Sequence, residues 1–186
     1  MRIALAAFAA LVLATAPAAA AQWKVDHGKS RLGFTVQWSG EAFNATFKSW
    51  KADIKFDPAD LAHSKAVVTI DLGSEDSGSS DNDDGIKGAE GFATDRFPSA
   101  TFETTGFSLG KNGNAYVAYG RLSLHGMSKP LTLPFILTIS GNTAHMLGQV
   151  VVSRLDFGLG TGEWAGDTPV AHAVTITIDL TATKAS

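Results

Sequence analysis

Apolar and polar residues alternate with a period of two along most of the chain. Leu32, Phe34, Val36 and Trp38 stand against Arg31, Gly33, Thr35 and Gln37, and Trp50, Ala52, Ile54 and Phe56 against Lys51, Asp53 and Lys55. Ala66 to Leu72, Leu131 to Ile139 and Val170 to Leu180 repeat the arrangement. Successive side chains of a strand point to opposite faces, so this pattern predicts half-buried strands. Further strands are predicted over Ala42–Phe47, Ala100–Phe107, Ala115–His125 and Ala144–Arg154. Turn signals at Ser39-Gly40, Asp57-Pro58, Lys111-Asn112-Gly113-Asn114 and Ser140-Gly141-Asn142 separate them, and such short connections make neighbouring strands antiparallel. Helical patterning is confined to a short helix near Asp84–Phe92, inside one long loop, and a turn of 3-10 helix at Leu61–Ser64. About eight strands with one apolar face each must pack as two sheets or close on themselves. Closure removes exposed edges, so the expected fold is all-β, an antiparallel eight-stranded barrel with a short helix in a long loop; a sandwich meets the same alternation.

The chain has 186 residues, 45% of them hydrophobic and 18% charged, which suits one domain and excludes a disordered chain. Residues 1–21 do not share the strand pattern. Arg2 precedes an apolar run from Ala4 to Thr15, and Pro17-Ala18-Ala19-Ala20-Ala21 supplies small residues before Gln22-Trp23. That order reads as a secretory signal peptide, cleaved after Ala20 or Ala21, leaving residues 22–186 as an exported, periplasmic domain. The apolar run is shorter than the ~20 residues a bilayer span needs, and no later segment is a candidate. With no Cys, the chain has no disulfide, thiolate metal site or cysteine nucleophile. A net charge of −3 offers no basic field for nucleic acid.

Catalytic and metal motifs are scarce. His27, His63, His125, His145 and His172 include no pair at metal-ligand spacing. His172 is in phase with the apolar row Val170–Leu180 and is expected to face inward; His125 is expected to make a turn-stabilising hydrogen bond at a strand end. The acidic run Glu75–Gly85 lacks the first and last ligands of a calcium loop and reads as a solvated loop. Gly158-Leu159-Gly160-Thr161-Gly162 is glycine-rich but has no βαβ context for a dinucleotide. No Gly-x-Ser-x-Gly elbow presents a serine nucleophile. The residues favour binding over catalysis, with no cofactor and no metal.

The apolar rows carry Phe34, Trp38, Phe43, Phe47, Trp50, Phe102, Phe135 and Phe157. Alternation alone does not distinguish a filled barrel from a hollow one. Several blocks together resemble the YceI-like family. They are Trp23-Lys24-Val25-Asp26 with Ser30-x-Leu32-x-Phe34-x-Val36; Phe47-x-x-Trp50 followed by Ile54-x-Phe56-Asp57-Pro58; and Phe97-Pro98-x-Ala100-x-Phe102. Leu122-x-Leu124-His125-Gly126-Met127-Ser128-Lys129-Pro130 is the most specific stretch, and Ser153-Arg154-Leu155-Asp156-Phe157-Gly158 follows it in the family's order. The chain departs from the pattern at Trp38, where many members carry His, and at Ala45 and Ala52, where they carry Gly. The resemblance implies an exported lipocalin-like barrel that binds a polyisoprenoid, here an isoprenoid lipid or isoprenoid quinone held without covalent attachment. On that reading Leu32, Phe34, Val36, Trp38, Phe47, Trp50, Phe92, Phe102, Leu122, Leu124, Phe135 and Phe157 line the lumen. Phe92 and Phe97 belong to a lid or mouth. A membrane cytochrome of b type and a second copy of the chain are the protein partners to be considered, the former chiefly on an alternative reading as a stress- or redox-associated accessory protein.

Overall fold

The computed structural model describes residues 20–185; nearly all of the proposed signal segment lies outside them. Eleven strands form one antiparallel sheet: β1 Gln22–Val25, β2 Arg31–Trp38, β3 Glu41–Phe47, β4 Trp50–Lys55, β5 Lys65–Asp71, β6 Glu75–Asp76, β7 Ser99–Leu109, β8 Ala115–Leu124, β9 Met127–Ser140, β10 Thr143–Ser153 and β11 Val170–Lys184. Three pairs of these are single staves with an interruption. β1 and β2 lie end to end along β11, through Trp23↔Lys184 below and Phe34↔Ile176 above. β3 and β4 in turn lie along β2 and β1, and β5 and β6 along β4 and β3. The result is an eight-staved, up-and-down barrel, closed where the first stave meets the last. Closure decides against the sandwich.

Each interruption bends a stave without breaking the meander. Between β1 and β2, Asp26 caps the 3-10 turn His27–Lys29 by accepting from Gly28 N, and Ser30 Oγ donates to Asp26 O at 2.7 Å. The expected 3-10 turn at Leu61 is present over Leu61–His63, capped by Asp60.

The helix, α1, runs over Ser80–Lys87 rather than Asp84–Phe92. Asp81 and Asp83 fall in its first turn, where the exposed N–H groups favour negative charge, and it ends at Gly88. The acidic run is therefore largely helix and not a solvated loop. Asp83 Oδ1 accepts from Ser77 N at 2.9 Å and Ser77 Oγ at 2.5 Å, so its carboxylate secures the loop entering the helix.

The hairpins Asp57–Ser64, Gly110–Asn114 and Gly141–Asn142 mark the lower end of the barrel. The upper end carries the β2–β3 turn, the Ser77–Pro98 segment with α1, the β8–β9 turn and the Arg154–Pro169 connection. Aromatic rings close the bottom. Phe56 meets Phe107 edge-on at 5.1 Å, and Tyr116 stacks on Phe135 at 5.5 Å. Trp23 joins them, its Nε1–H donating to Phe56 O at 2.9 Å.

Candidate ligand-binding lumen

Above the aromatic floor the barrel is hollow. The lower chamber has a volume of about 170 Å³ and the upper about 150 Å³. Leu32, Ile70, Leu122 and Ile176 line both and form the partition between them. These are side chains from four different staves.

The lower chamber is walled by regular strand positions: Trp50, Ile54, Val68, Phe102, Leu133, Phe135 and Ile178 all belong to the alternating rows. Its one hydroxyl, Thr104 Oγ1, is bound to Ala66 N at 2.8 Å and Ala66 O at 3.2 Å, so it offers little to a ligand. Phe34, Val36, Trp38, Phe47, Leu124 and Phe157 line the upper chamber, together with Phe92 from the long segment after α1. All twelve residues singled out in the sequence thus lie on a chamber wall, Leu32 and Leu122 at the partition.

Phe97 is on neither wall; its ring packs on His125 at the upper end of the barrel at 4.5 Å and takes Arg96 over its face. One expectation is corrected: His172 does not face the lumen. Pairing of β11 with β2 slips between Val170↔Trp38 and Val174↔Val36, where three residues of β11 oppose a single residue of β2. The bulge turns His172 outward, where Nε2 lies 3.0 Å from Ala165 O and its N–H donates to Asp167. His125 sits at the β8–β9 turn with φ 52°, and its Nδ1 lies 3.1 Å from Phe157 O, tying that turn to the β10–β11 connection.

The upper chamber has a second layer that the alternation did not reveal. Arg154 is buried, and its donors go to six backbone carbonyls: Nε to Ala171 O at 3.1 Å, Nη1 to Leu159 O and Gly160 O, and Nη2 to Trp164 O, Gly166 O and Val170 O. Burial pushes its guanidinium below the usual arginine range. The carbonyl cage accounts for Gly160, while Gly162 is crowded by Glu90. Gly158, Gly160 and Gly162 all have positive φ, and a Cβ on Gly160 would collide with Arg154 Nη1. The caged segment carries Trp164 over the chamber, edge-on to Trp38 at 5.8 Å. Trp38 also packs on Phe43 at 5.6 Å, so an indole stands here in an apolar cluster.

Beneath α1 lies a buried carboxyl. Glu75 is fully shielded, neither oxygen has a hydrogen-bond partner, and Lys87 Nζ stands 3.9 Å away. Burial, helped by Asp83 and opposed by Lys87, pushes its pKa up to about 7.

Comparison with known proteins agrees with this architecture. The YceI-like domain family matches residues 23–182. The chain is 33% identical to the UPF0312 protein of Photorhabdus laumondii over 127 residues, 67% of this chain and 65% of that protein, just under two thirds of its length. Protein YceI of Salmonella agona is 33% identical over 129 residues, 68% of this chain and 66% of that one. Among solved structures, Burkholderia cenocepacia BcnA superposes with a TM-score of 0.83 at 32% identity, covering 86% of this chain and 100% of that chain. A polyisoprenoid binding domain from Saccharophagus degradans shares the fold alone, with a TM-score of 0.68 at 14% identity, covering 90% of this chain and all of its own. With the family match running from the first strand to the last, the chain belongs to the YceI-like family.

Proposed function

We propose that this protein is an exported, periplasmic carrier that holds the hydrocarbon tail of an isoprenoid lipid or quinone in its lumen and performs no chemistry on it. The observation that carries the reading is the pair of adjoining apolar chambers, separated only by Leu32, Ile70, Leu122 and Ile176. A dry apolar cavity of roughly 150 Å³ accepts a benzene-sized group. A branched tail therefore fills both chambers by passing the partition. Ten carbons buried in this way contribute about 8 kcal/mol before the cost of ordering tail and protein. The Saccharophagus neighbour, named as a polyisoprenoid binding domain, supports the same ligand class.

Two polar groups beside the lumen, Thr104 and Arg154, are already engaged, and the exposed Glu90 at the upper chamber would disfavour an anionic head. Arg154 spends its donors on carbonyls, so it does not select an anionic head. Selectivity then rests chiefly on the tail, and head groups of different chemistry, other than anionic ones, are tolerated at the Trp38–Trp164 mouth. The test is native mass spectrometry of the protein purified from its source envelope after expression of the full chain. A prenyl lipid at about one per protein is the expected result. Protein that emerges empty and fails to take up geranylgeraniol in solution would overturn the reading.

A further inference from the structure

The wall of the barrel is not equally knitted all the way round. β9 pairs with β8 along its upper half, through Leu124↔Met127 and Arg121↔Pro130 to Val117↔Pro134. β10 likewise pairs with β11 up to Ser153↔Ala173. Between β9 and β10, however, the ladder runs only from Thr143↔Ser140 to Gly148↔Phe135. Above that point two strand edges face each other unpaired, Met127–Pro134 on one side and Gln149–Ser153 on the other. The 3-10 turn Arg154–Phe157 spans the top, held to His125. The outline is a window in the upper wall.

The sequence itself keeps the window unlaced. Continuing the β9–β10 register would set Pro134 against Gln149, Thr132 against Val151 and Pro130 against Ser153. Proline has no N–H, so Pro130 and Pro134 fit the β8–β9 ladder only with their nitrogens turned toward β10. Two of the three pairs that would close the gap thereby lack a donor. Stave edges also outrun their neighbours at the upper part of β3, where only Thr46 and Phe47 pair with β6, and at the lower part of β7, which is packed against the turn Leu61–His63. Among the described residues nothing comparable covers the middle of the β9–β10 gap, where Thr132, Pro134 and Gln149 are exposed and Val151 is 60% exposed.

The inner rims are apolar, and the outer ones carry an apolar fringe among Ser128, Lys129, Thr132 and Gln149. On the inside, Leu131, Leu133 and Val150 line the lower chamber and Val152 the upper one. On the outside, Met127, Ile136, Leu147, Val151 and Leu155 are exposed around the gap and make up most of the large exposed hydrophobics among the described residues. An outward apolar fringe continuous with an apolar lumen through an unpaired seam suits a hydrocarbon, which has no stable path through water.

Resting on the carrier reading above, we propose that the β9–β10 window is a side entrance through which the tail passes between a lipid bilayer and the lumen, the fringe around Val151 resting on the bilayer. The absence of native Cys makes a direct test available. Thr132→Cys/Val151→Cys is bridged with a short bismaleimide, and Glu103→Cys/Arg121→Cys, a paired exposed position on β7–β8, is bridged as the control. The rate at which each takes up tritiated geranylgeraniol from phosphatidylcholine vesicles is compared with uptake of the same alcohol delivered in solution to equilibrium. Bridging the window is expected to slow vesicle transfer by about tenfold or more, as gated entrances do, with equilibrium capacity kept. Equal rates for the two bridged proteins overturn the window while leaving the carrier reading intact; no uptake at equilibrium by any protein overturns both. Val151→Glu, with no bridge, is expected to slow transfer from vesicles and leave solution uptake unchanged. A dimer of the parent protein that Val151→Glu dissolves would assign the fringe to a second copy instead. Pro130→Thr/Pro134→Thr, which restores both donors, supplies a second slow variant should the cysteine pair fail to fold.

Discussion

The two chambers are built by different means. The lower one is made almost wholly of strand residues whose inward direction follows from period two, and its floor of Phe56, Phe107, Tyr116 and Phe135 is packed ring on ring. The upper one is finished by segments outside the ladder: Ile86 of α1, Phe92, Leu159, Gly160 and Trp164. Its order depends on polar groups buried behind the apolar surface, above all Arg154 and Glu75. The lower chamber therefore draws its stability chiefly from burial, with the Trp23 and Thr104 hydrogen bonds added, whereas the upper one depends on buried charged groups. It is the end expected to loosen first and to respond to pH.

Removing the carbonyl cage should separate the two most strongly. Arg154→Met leaves the carbonyls of Leu159, Gly160, Trp164, Gly166 and Val170 without their shared donor and is expected to cost about 4 kcal/mol in urea unfolding. Fluorescence of Trp164 and Trp38 should shift toward the solvated range while Trp23 stays buried. Equal loosening of both ends would erase the distinction.

Glu75 sharpens the contrast through pH. Its carboxyl ordinarily titrates near 4.5 and in the folded protein near 7. Between those values the unfolded chain gives up a proton that the folded protein keeps, so the contribution of Glu75 to stability is greatest below pH 4.5, falls as pH rises to about 7, and is then level. Glu75→Gln should flatten that slope, a change of about 3 kcal/mol across the interval, measured by denaturant unfolding at pH 4 to 8. A slope that survives the substitution would place its source elsewhere.

The smallest effect is expected at the floor. Trp23→Phe deletes the Nε1–Phe56 O hydrogen bond while keeping most of the packing, at a cost of about 1 kcal/mol. Protection of amide protons near Trp23 and Phe56 should fall, with α1 unaffected.

The same division explains what could be read from the chain. Ile54, Val68, Phe102, Leu133 and Phe135 declare their direction through neighbours two residues away, the removal of exposed edges favours closure, and the resemblance implies the hollow. Arg154 was visible only as one letter of a quoted block. Its role depends on carbonyls up to 17 residues distant and on glycines with positive φ, a long-range arrangement with no period. The glycines at 158, 160 and 162 were the available signal, since so close a spacing in a loop marks backbone crowding against something. Glu75 gave none, because a carboxylate in a polar run is ordinarily solvated. His172 failed for a different reason: alternation assumes an unbroken strand, and the bulge between Val170 and Val174 breaks it. The pair Pro130 and Pro134 was legible in principle, as two prolines four residues apart in a strand demand one unpaired edge.

The central claim is that this hollow is filled by one hydrocarbon chain running through both chambers. A crystal structure of the protein grown with geranylgeraniol tests it directly. The account predicts continuous density from beneath the Trp38–Trp164 mouth, between Leu32, Ile70, Leu122 and Ile176, to the aromatic floor. Those four side chains closed on one another, with both chambers empty at saturating alcohol, would contradict it.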